Sequence, residues 1–317
     1  MINLSVGIDI GGTNTAIGII DREGKIYYQS SIPTQTREKV EDYVFDIYQE
    51  IEKGKQSIKQ KFELKGIGIG APNANYYNGT IEDAPNLRWR GTIGFSALFS
   101  KYYSVPIFLT NDANAAAIGE MVYGGAKNMK NFAVVTLGTG LGSGIVVNGK
   151  LMYGHDGFAG ELGHVIVDHN GRMCNCGRQG CLETYVSATG LVRTVFDLLA
   201  HFTEPSILRD IPYSEMTAKT VADAAKNNDF IALETFKKTA EILGKSLADL
   251  TAITAHEAIF LFGGVTKAGS ILFDQVEYFM NKNMLSIFNN KIKLLQSKLG
   301  ENAAILGSSA LVWSELE

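Results

Sequence analysis

The chain is short of several things that would otherwise decide its class. No apolar run approaches the ~20 residues that a membrane helix needs, so a spanning protein is not expected. There is no basic excess: 29 lysines and arginines face 33 acids, for a net charge of −4. That balance argues against a nucleic-acid partner, which usually meets a basic face. Prolines number only 6 and no low-complexity tract interrupts the chain, so nothing reads as a flexible linker. The opening "MINLSVGIDIGG" lacks a basic segment followed by a long apolar core. It reads as a first strand and not as a secretory leader. The expected compartment is the cytoplasm, where structural disulfides are rare.

Cysteine is the scarcity that says most. The chain has 3, all within "RMCNCGRQGCLET", Arg172–Thr184. An odd count leaves at least one thiol that cannot pair within the chain. Cys174, Cys176 and Cys181 form C-x-C-x4-C, and His164 precedes them in "GELGHV". Three thiolates and one imidazole complete a tetrahedral zinc set, and four protein ligands leave no open position, so such a zinc is structural. Gly177 and Gly180 give the backbone freedom to wrap a small ion. The competing reading is three buried thiols beside a core histidine; clustering, odd count and a reducing compartment favour zinc.

What is present in abundance is apolar strand and glycine. At 317 residues the chain suffices for two ordinary domains or one bilobed unit. Two segments resemble each other, "LSVGIDIGGTNTAIGIIDREGKIYYQ" (Leu4–Gln29) and "FAVVTLGTGLGSGIVVNGKLMYG" (Phe132–Gly154). Each runs strand, Gly/Thr turn, strand, Gly-Lys turn, strand. Asn148–Gly149 carries a type I′ hairpin signal. Two unrelated hairpins are the plainer alternative, but the matching place of the Gly/Thr turn favours a duplicated α/β unit. Helical patterns cover Arg37–Phe62, Tyr185–Phe202, Thr217–Lys226, Asp229–His256 and Ala303–Leu316, with strands at "LKGIGIGAP", "VPIFLTND" and "EAIFLFGG". Strands alternating with helices predict an α/β fold.

The glycine turns are candidates for chemistry. In "DIGGTN", Gly11 and Gly12 let backbone N–H groups approach phosphate oxygens without a Cβ in the way. Asp9 could hold Mg²⁺ through water, and Thr13 offers a hydroxyl. "GTGLG" at Gly138–Gly142 could supply a second cradle. Either could equally be a tight hairpin, and neither is followed by the Gly-Lys-Ser/Thr of a Walker loop. "FGGVTKAG", with Gly263 and Gly264, could admit a flat adenine, though alone it reads as a strand–helix turn. "TNDANAAA" puts Asp112 where a strand meets a helix. Taken alone, Asp112 reads as an N-cap; a catalytic carboxylate there would be kept ionised by the helix N-terminus.

Together these motifs resemble the ROK family (repressor, open reading frame, kinase) of sugar kinases and regulators. "GELGH" and "CNCGRQGCLE" fit its E-x-G-H…C-x-C-G-x-x-G-C-x-E signature, and "DIGGTN", "GAP", "APNL" (Ala84–Leu87), "TNDANAAA" and "GTGLGSGIV" follow its order. The resemblance implies an actin/hexokinase-like (ribonuclease H-like) bilobed α/β fold with duplicated domains. The lobes are expected at 1–111 plus 300–317 and at 112–299, the second carrying the zinc loop. It implies an ATP-dependent kinase acting on the 6-hydroxyl of a hexose, with closing lobes that exclude water. Glucose is the first expectation, N-acetylglucosamine or N-acetylmannosamine the second and fructose the third. Asp112 is then the catalytic base. Asn111, Glu161, His164 and Glu183 contact the sugar, and His164 also serves the zinc. Asp9, Gly11, Gly12, Thr13, Asn14, Gly138, Thr139, Gly140, Gly263 and Gly264 hold ATP and Mg²⁺. A homodimer is implied by the family alone. Without the resemblance, Glu183 reads as a solvated helix-start residue. The family's repressors carry a DNA-binding domain ahead of the first strand, for which this reading expects no room. A non-catalytic sensor would be expected to lose Asp112 or a phosphate turn, and neither is lost. One departure stands out: after Ala71–Pro72 the family usually has glycine, here Asn73, an added side chain expected near the sugar.

Overall fold

In a computed structural model that describes residues 1–316, with Glu301 described in backbone only, the chain forms two five-stranded sheets with helices. The first is built from β1 (Ile2–Ile10), β2 (Asn14–Asp21), β3 (Ile26–Pro33), β4 (Phe62–Gly70) and β8 (Ile107–Thr110), in the order β3-β2-β1-β4-β8. A small sheet of β5 (Ala74–Asn75), β6 (Thr80–Glu82) and β7 (Thr92–Ile93) is inserted between β4 and β8. The second large sheet has β9 (Phe132–Leu137), β10 (Leu141–Val147), β11 (Lys150–Leu151), β12 (Ala258–Phe262) and β13 (Lys293–Gln296), in the order β11-β10-β9-β12-β13.

The two orders are the same pattern, a three-strand meander followed by two parallel strands. The expected duplication is therefore present at the level of topology. The Asn148–Gly149 turn joins β10 to β11 with φ of 54° and 76°, as a type I′ turn requires.

Contacts divide the chain into two units. One comprises residues 1–129, 144–160 and Ser297 onward; the other comprises 130–143 and 161–296. This differs from the expected boundary at 111/112, because α3 (Asp112–Val122) packs on α9 (Ala303–Glu315) and on β4. Small residues make that packing possible: a Cβ on Gly307 would lie 2.3 Å from the Ala115 carbonyl oxygen. The alanine run of "ANAAAIG" is thus a surface for close helix approach as well as a good helix former.

Within the first unit, β1 alternates large apolar residues with small or polar ones, and β4 ends by alternating isoleucine with glycine. Leu4, Val6, Ile8, Ile67 and Ile69 join a core with Tyr43, Ile47 and Ile51 of α1 (Val40–Ser57), and with Phe95 and Phe99 of α2 (Phe95–Phe99). On the opposite face, Gly7 and Gly68 are register partners. α9 lies directly on them, so added Cβ atoms would sit 2.1 Å from the Ile305 oxygen and 1.8 Å from the Ser308 oxygen. The second unit's helices are α4 (Glu183–Val186), α5 (Ala188–His201), α6 (Ala218–Lys226), α7 (Phe230–Thr254) and α8 (Ser270–Asn283). Among the described residues no helix is long and apolar enough to cross a membrane.

Gly68→Ala tests the glycine stripe. The obstacle is backbone, which cannot rotate away, so the loss should reach the upper end of overpacking costs, about 3 kcal/mol. A drop in the denaturant midpoint reads it; an unchanged midpoint would mean that α9 does not rest on β4.

Candidate functional site

In the first unit the candidate residues gather at one sheet edge. Asp9 pairs in register with Gly70, and Gly70 with Thr110, so the carboxyl ends of β1, β4 and β8 finish side by side. Ligands of open α/β sheets bind at such carboxyl ends. Asn111 and Asp112 follow immediately on β8. Asn111, not Asp112, is the N-cap: its side-chain oxygen accepts from the Ala113 N–H at 2.9 Å. Asp112 is the first helical residue, and its Oδ1 accepts from the same N–H at 2.8 Å. The sequence expectation of an Asp112 cap is corrected because only Asn111 has the extended backbone that a cap needs, φ −62° and ψ 149°.

The expected sign of the Asp112 pKa is corrected too. Burial raises it, outweighing the backbone N–H bonds that lower it. Asp112 nonetheless keeps some solvent exposure as a residue. Burial, and then the charge of Asp112, push Asp9 up to about 7. Two carboxyls so close disfavour double ionisation, which is the electrostatic environment that a cation relieves.

The Asp9–Asn14 turn is tight. Gly11 N–H donates to the Asn14 carbonyl at 3.0 Å, and a Cβ on Gly12 would crowd the Asn86 oxygen at 3.1 Å. Asn86 belongs to the "APNL" motif, and Gln35 bridges the Gly12 and Asn86 carbonyls. Thr13 and Asn14 are exposed. Beneath the turn lies a network that sequence reasoning missed: Thr34 Oγ1 donates to the Gly11 carbonyl at 2.7 Å, Thr15 meets Thr34 at 2.8 Å, and the Tyr43 hydroxyl meets Thr15. Tyr43 gave no signal beyond its place on the apolar face of α1.

Asn73 is resolved by its backbone. Its φ is 50°, the left-handed region that favours glycine and that asparagine tolerates. Its side chain donates to the Glu82 carbonyl at 3.0 Å. The departure thus preserves a turn, and the added side chain is spent on β6.

In the second unit the Gly138 turn and the Gly263–Gly264 turn sit at the carboxyl ends of adjacent parallel strands, β9 and β12. Gly263 has φ 106°, and a Cβ there would lie 2.5 Å from the Leu137 oxygen. Gly138 N–H closes on the Gly140 carbonyl at 3.0 Å, and α5 fastens the turn through Ala188 N–H to Gly138 and Thr189 to Thr139.

The cysteine loop brings its four predicted ligands together. The ligand atoms of His164, Cys174, Cys176 and Cys181 all lie within 4.8 Å of one another. Cys176 and Cys181 Sγ are 3.6 Å apart and Cys174 Sγ is 3.8 Å from His164 Nδ1. A disulfide needs ~2.05 Å, whereas a tetrahedron with ~2.3 Å Zn–S bonds spaces its sulfurs ~3.7 Å apart. Gly177 and Gly180 have φ of 85° and 78°, the left-handed turns that wrap the loop. Burial raises the Cys174 thiol well above its usual range, and the Glu183 carboxylate adds to this.

His164 is the junction. Its Nδ1 faces the thiols and lies 3.9 Å from Glu183 Oε1, while Nε2 lies 3.9 Å from Glu161 Oε2. Glu183 is not a solvated helix-start residue. Its Oε1 accepts from Cys174 Sγ at 3.0 Å and its Oε2 from Leu141 N–H at 3.3 Å. A Cβ on Gly140 would lie 2.7 Å from Oε2. Glu183 therefore ties the cysteine loop to the Gly138 turn, two motifs that look independent in the sequence.

The ROK family model matches residues 5–315. The chain belongs to the ROK family. The glucokinase of Halalkalibacterium halodurans is 34% identical over 97% of this chain and 94% of its own. The xylose repressor of Bacillus spizizenii is 30% identical over 97% of this chain and 76% of its own. The crystal structure of a ROK glucokinase from Streptomyces griseus, in complex with glucose and AMPPNP, superposes with a TM-score of 0.82 at 30% identity, covering 98% and 99% of the two chains.

The shifted Asp9 carboxyl has a consequence for stability. In the folded ROK chain Asp9 keeps its proton to about pH 7, whereas an unfolded carboxyl loses it near ~4. The folded state thus binds more protons across that window, and stability falls as pH rises through it. Without metal and nucleotide, Asp9→Asn should gain stability over the wild type at pH values above that window and little below it. Thermal unfolding on both sides measures this, and an equal difference at both would contradict the assignment.

Proposed function

We propose that this ROK protein is an ATP-dependent kinase that phosphorylates the 6-hydroxyl of a hexose, with glucose as its first substrate. The observation that carries the reading is Asp112, set at the end of β8 beside Asp9, in a chain similar along nearly its whole length to glucokinases. Asp112 takes the hydroxyl proton as the sugar oxygen attacks the γ-phosphorus; the bond from that phosphorus to the β,γ-bridging oxygen breaks and ADP leaves with the electron pair. Asn111 uses its oxygen to cap α3, which leaves its amide N–H₂ to donate to a sugar hydroxyl. Glu161, His164 Nε2 and Glu183 supply further polar contacts to the sugar. The glycine turns at Gly11–Gly12, Gly138–Gly140 and Gly263–Gly264 hold the nucleotide. The raised, paired carboxyls of Asp9 and Asp112 fit a divalent cation, and Mg²⁺ would supply charge neutralisation on the phosphates.

The four-atom cluster at His164, Cys174, Cys176 and Cys181 fits structural zinc by donor type and spacing. With Nδ1 on the ion, the tautomer of His164 is fixed and Nε2–H is left to donate. The family resemblance also implies a homodimer, and the cytoplasm is the compartment that the sequence reading expects.

An ATP-coupled assay over glucose, N-acetylglucosamine, N-acetylmannosamine, fructose and xylose tests the reading, with glucose turned over fastest. Asp112→Asn retains helix-compatible size but cannot take the proton, and kcat should fall at least ~10²-fold with ATP still bound. Near-normal kcat for Asp112→Asn, or no turnover of any hexose by the wild type, would overturn it.

A further inference from the structure

Arg172 stands two residues before Cys174, and its guanidinium reaches across the whole cysteine loop. Nη1 donates to the Thr184 carbonyl at 2.8 Å and to the Gly190 carbonyl at 3.0 Å. Nη2 donates to Thr194 Oγ1 at 3.0 Å and to Asp197 Oδ2 at 2.5 Å. The guanidinium carbon lies 4.7 Å from the centroid of the Tyr185 ring. The backbone joins in: Arg172 N–H donates to the Tyr185 hydroxyl, which donates to Asp168, and the Arg172 carbonyl accepts from Gly180 N–H.

The arrangement has a direction. The Arg172 side chain is 15% exposed and Asp197 is 62% exposed, so the ion pair is largely screened and contributes little. The neutral acceptors Thr184 O, Gly190 O and Thr194 Oγ1 hold the cation on its inner side. Thr184 directly follows Glu183. One planar group therefore fastens both ends of the segment that contains Cys174, Cys176, Cys181 and Glu183, and no ligand atom takes part.

We infer that Arg172 is a positioning residue that closes the cysteine loop independently of the metal, holding the three thiols and Glu183 in place before an ion arrives. The inference rests on the zinc reading above. A preorganised donor set lowers the ordering cost of binding and slows ligand opening, so loss of the closure should appear first in metal release. Lysine cannot replace arginine here, because a point charge neither spans four acceptors nor stacks on Tyr185.

The test is zinc release from the full-length, zinc-loaded protein into excess chromophoric chelator. Groups that support metal ligands typically contribute about 10–100-fold in affinity, and Arg172→Lys should release zinc faster by that order. The apparent KM for sugar should rise more than kcat falls, because Glu183 is displaced and Asp112 is not. A merely structural role would lower the unfolding temperature and leave release from the folded protein unchanged. Thr194→Val removes one acceptor with little change of shape and should accelerate release less; it decides the matter if Arg172→Lys does not fold. Zinc bound by the wild type and released no faster from Arg172→Lys, or from Thr194→Val in its place, overturns this inference alone. A wild type that binds no zinc overturns the metal reading and this inference with it.

Discussion

Three thiols and an imidazole crowd within 4.8 Å, and such a group has no good way to satisfy itself. Thiols are weak donors, and deprotonated thiols repel one another at this range. A tetrahedral cation resolves both problems at once. The second unit's candidate residues are arranged around that point. His164 turns Nδ1 to the thiols, so Nε2 faces Glu161. Glu183 leaves the loop beside Cys174 and reaches Leu141 of the Gly138 turn. A structural element thereby orients the side chains assigned to the substrate.

The first unit orders its own candidate residues by a different constraint. Gly7 and Gly68 let α9 lie on the sheet backbone, and α9 in turn supports α3 through Gly307. That packing places the start of α3, with Asn111 and Asp112, at the carboxyl ends of β1 and β4. The same placement brings Asp9 and Asp112 close enough to shift Asp9.

Much of this was legible in the sequence because the signals were local. The duplicated strand–turn–strand pattern, the Asn148–Gly149 hairpin and the C-x-C-x4-C cluster each depend on residues close in the chain. The glycines of "LKGIGIGAP" were visible, but not what rests on them, since α9 comes from the other end of the chain. The capping assignment failed by one residue, because Asn111 and Asp112 are both good caps and only the backbone distinguishes them. The helix-dipole argument for Asp112 lost to burial, which a sequence does not display. Thr34, Tyr43 and Arg172 were passed over for the same reason: each acts through a partner set by tertiary contact. The boundary expected at 111/112 fell at a true change of element, yet α3 packs with the unit before it.

The central claim is that four side chains, His164 among them, converge on one tetrahedral ion. X-ray absorption at the zinc edge on purified protein tests it most directly. The account predicts one zinc per chain, with three sulfurs at ~2.3 Å and one nitrogen at ~2.0–2.1 Å. Absence of zinc, or a shell with fewer sulfurs and added oxygen, would contradict it.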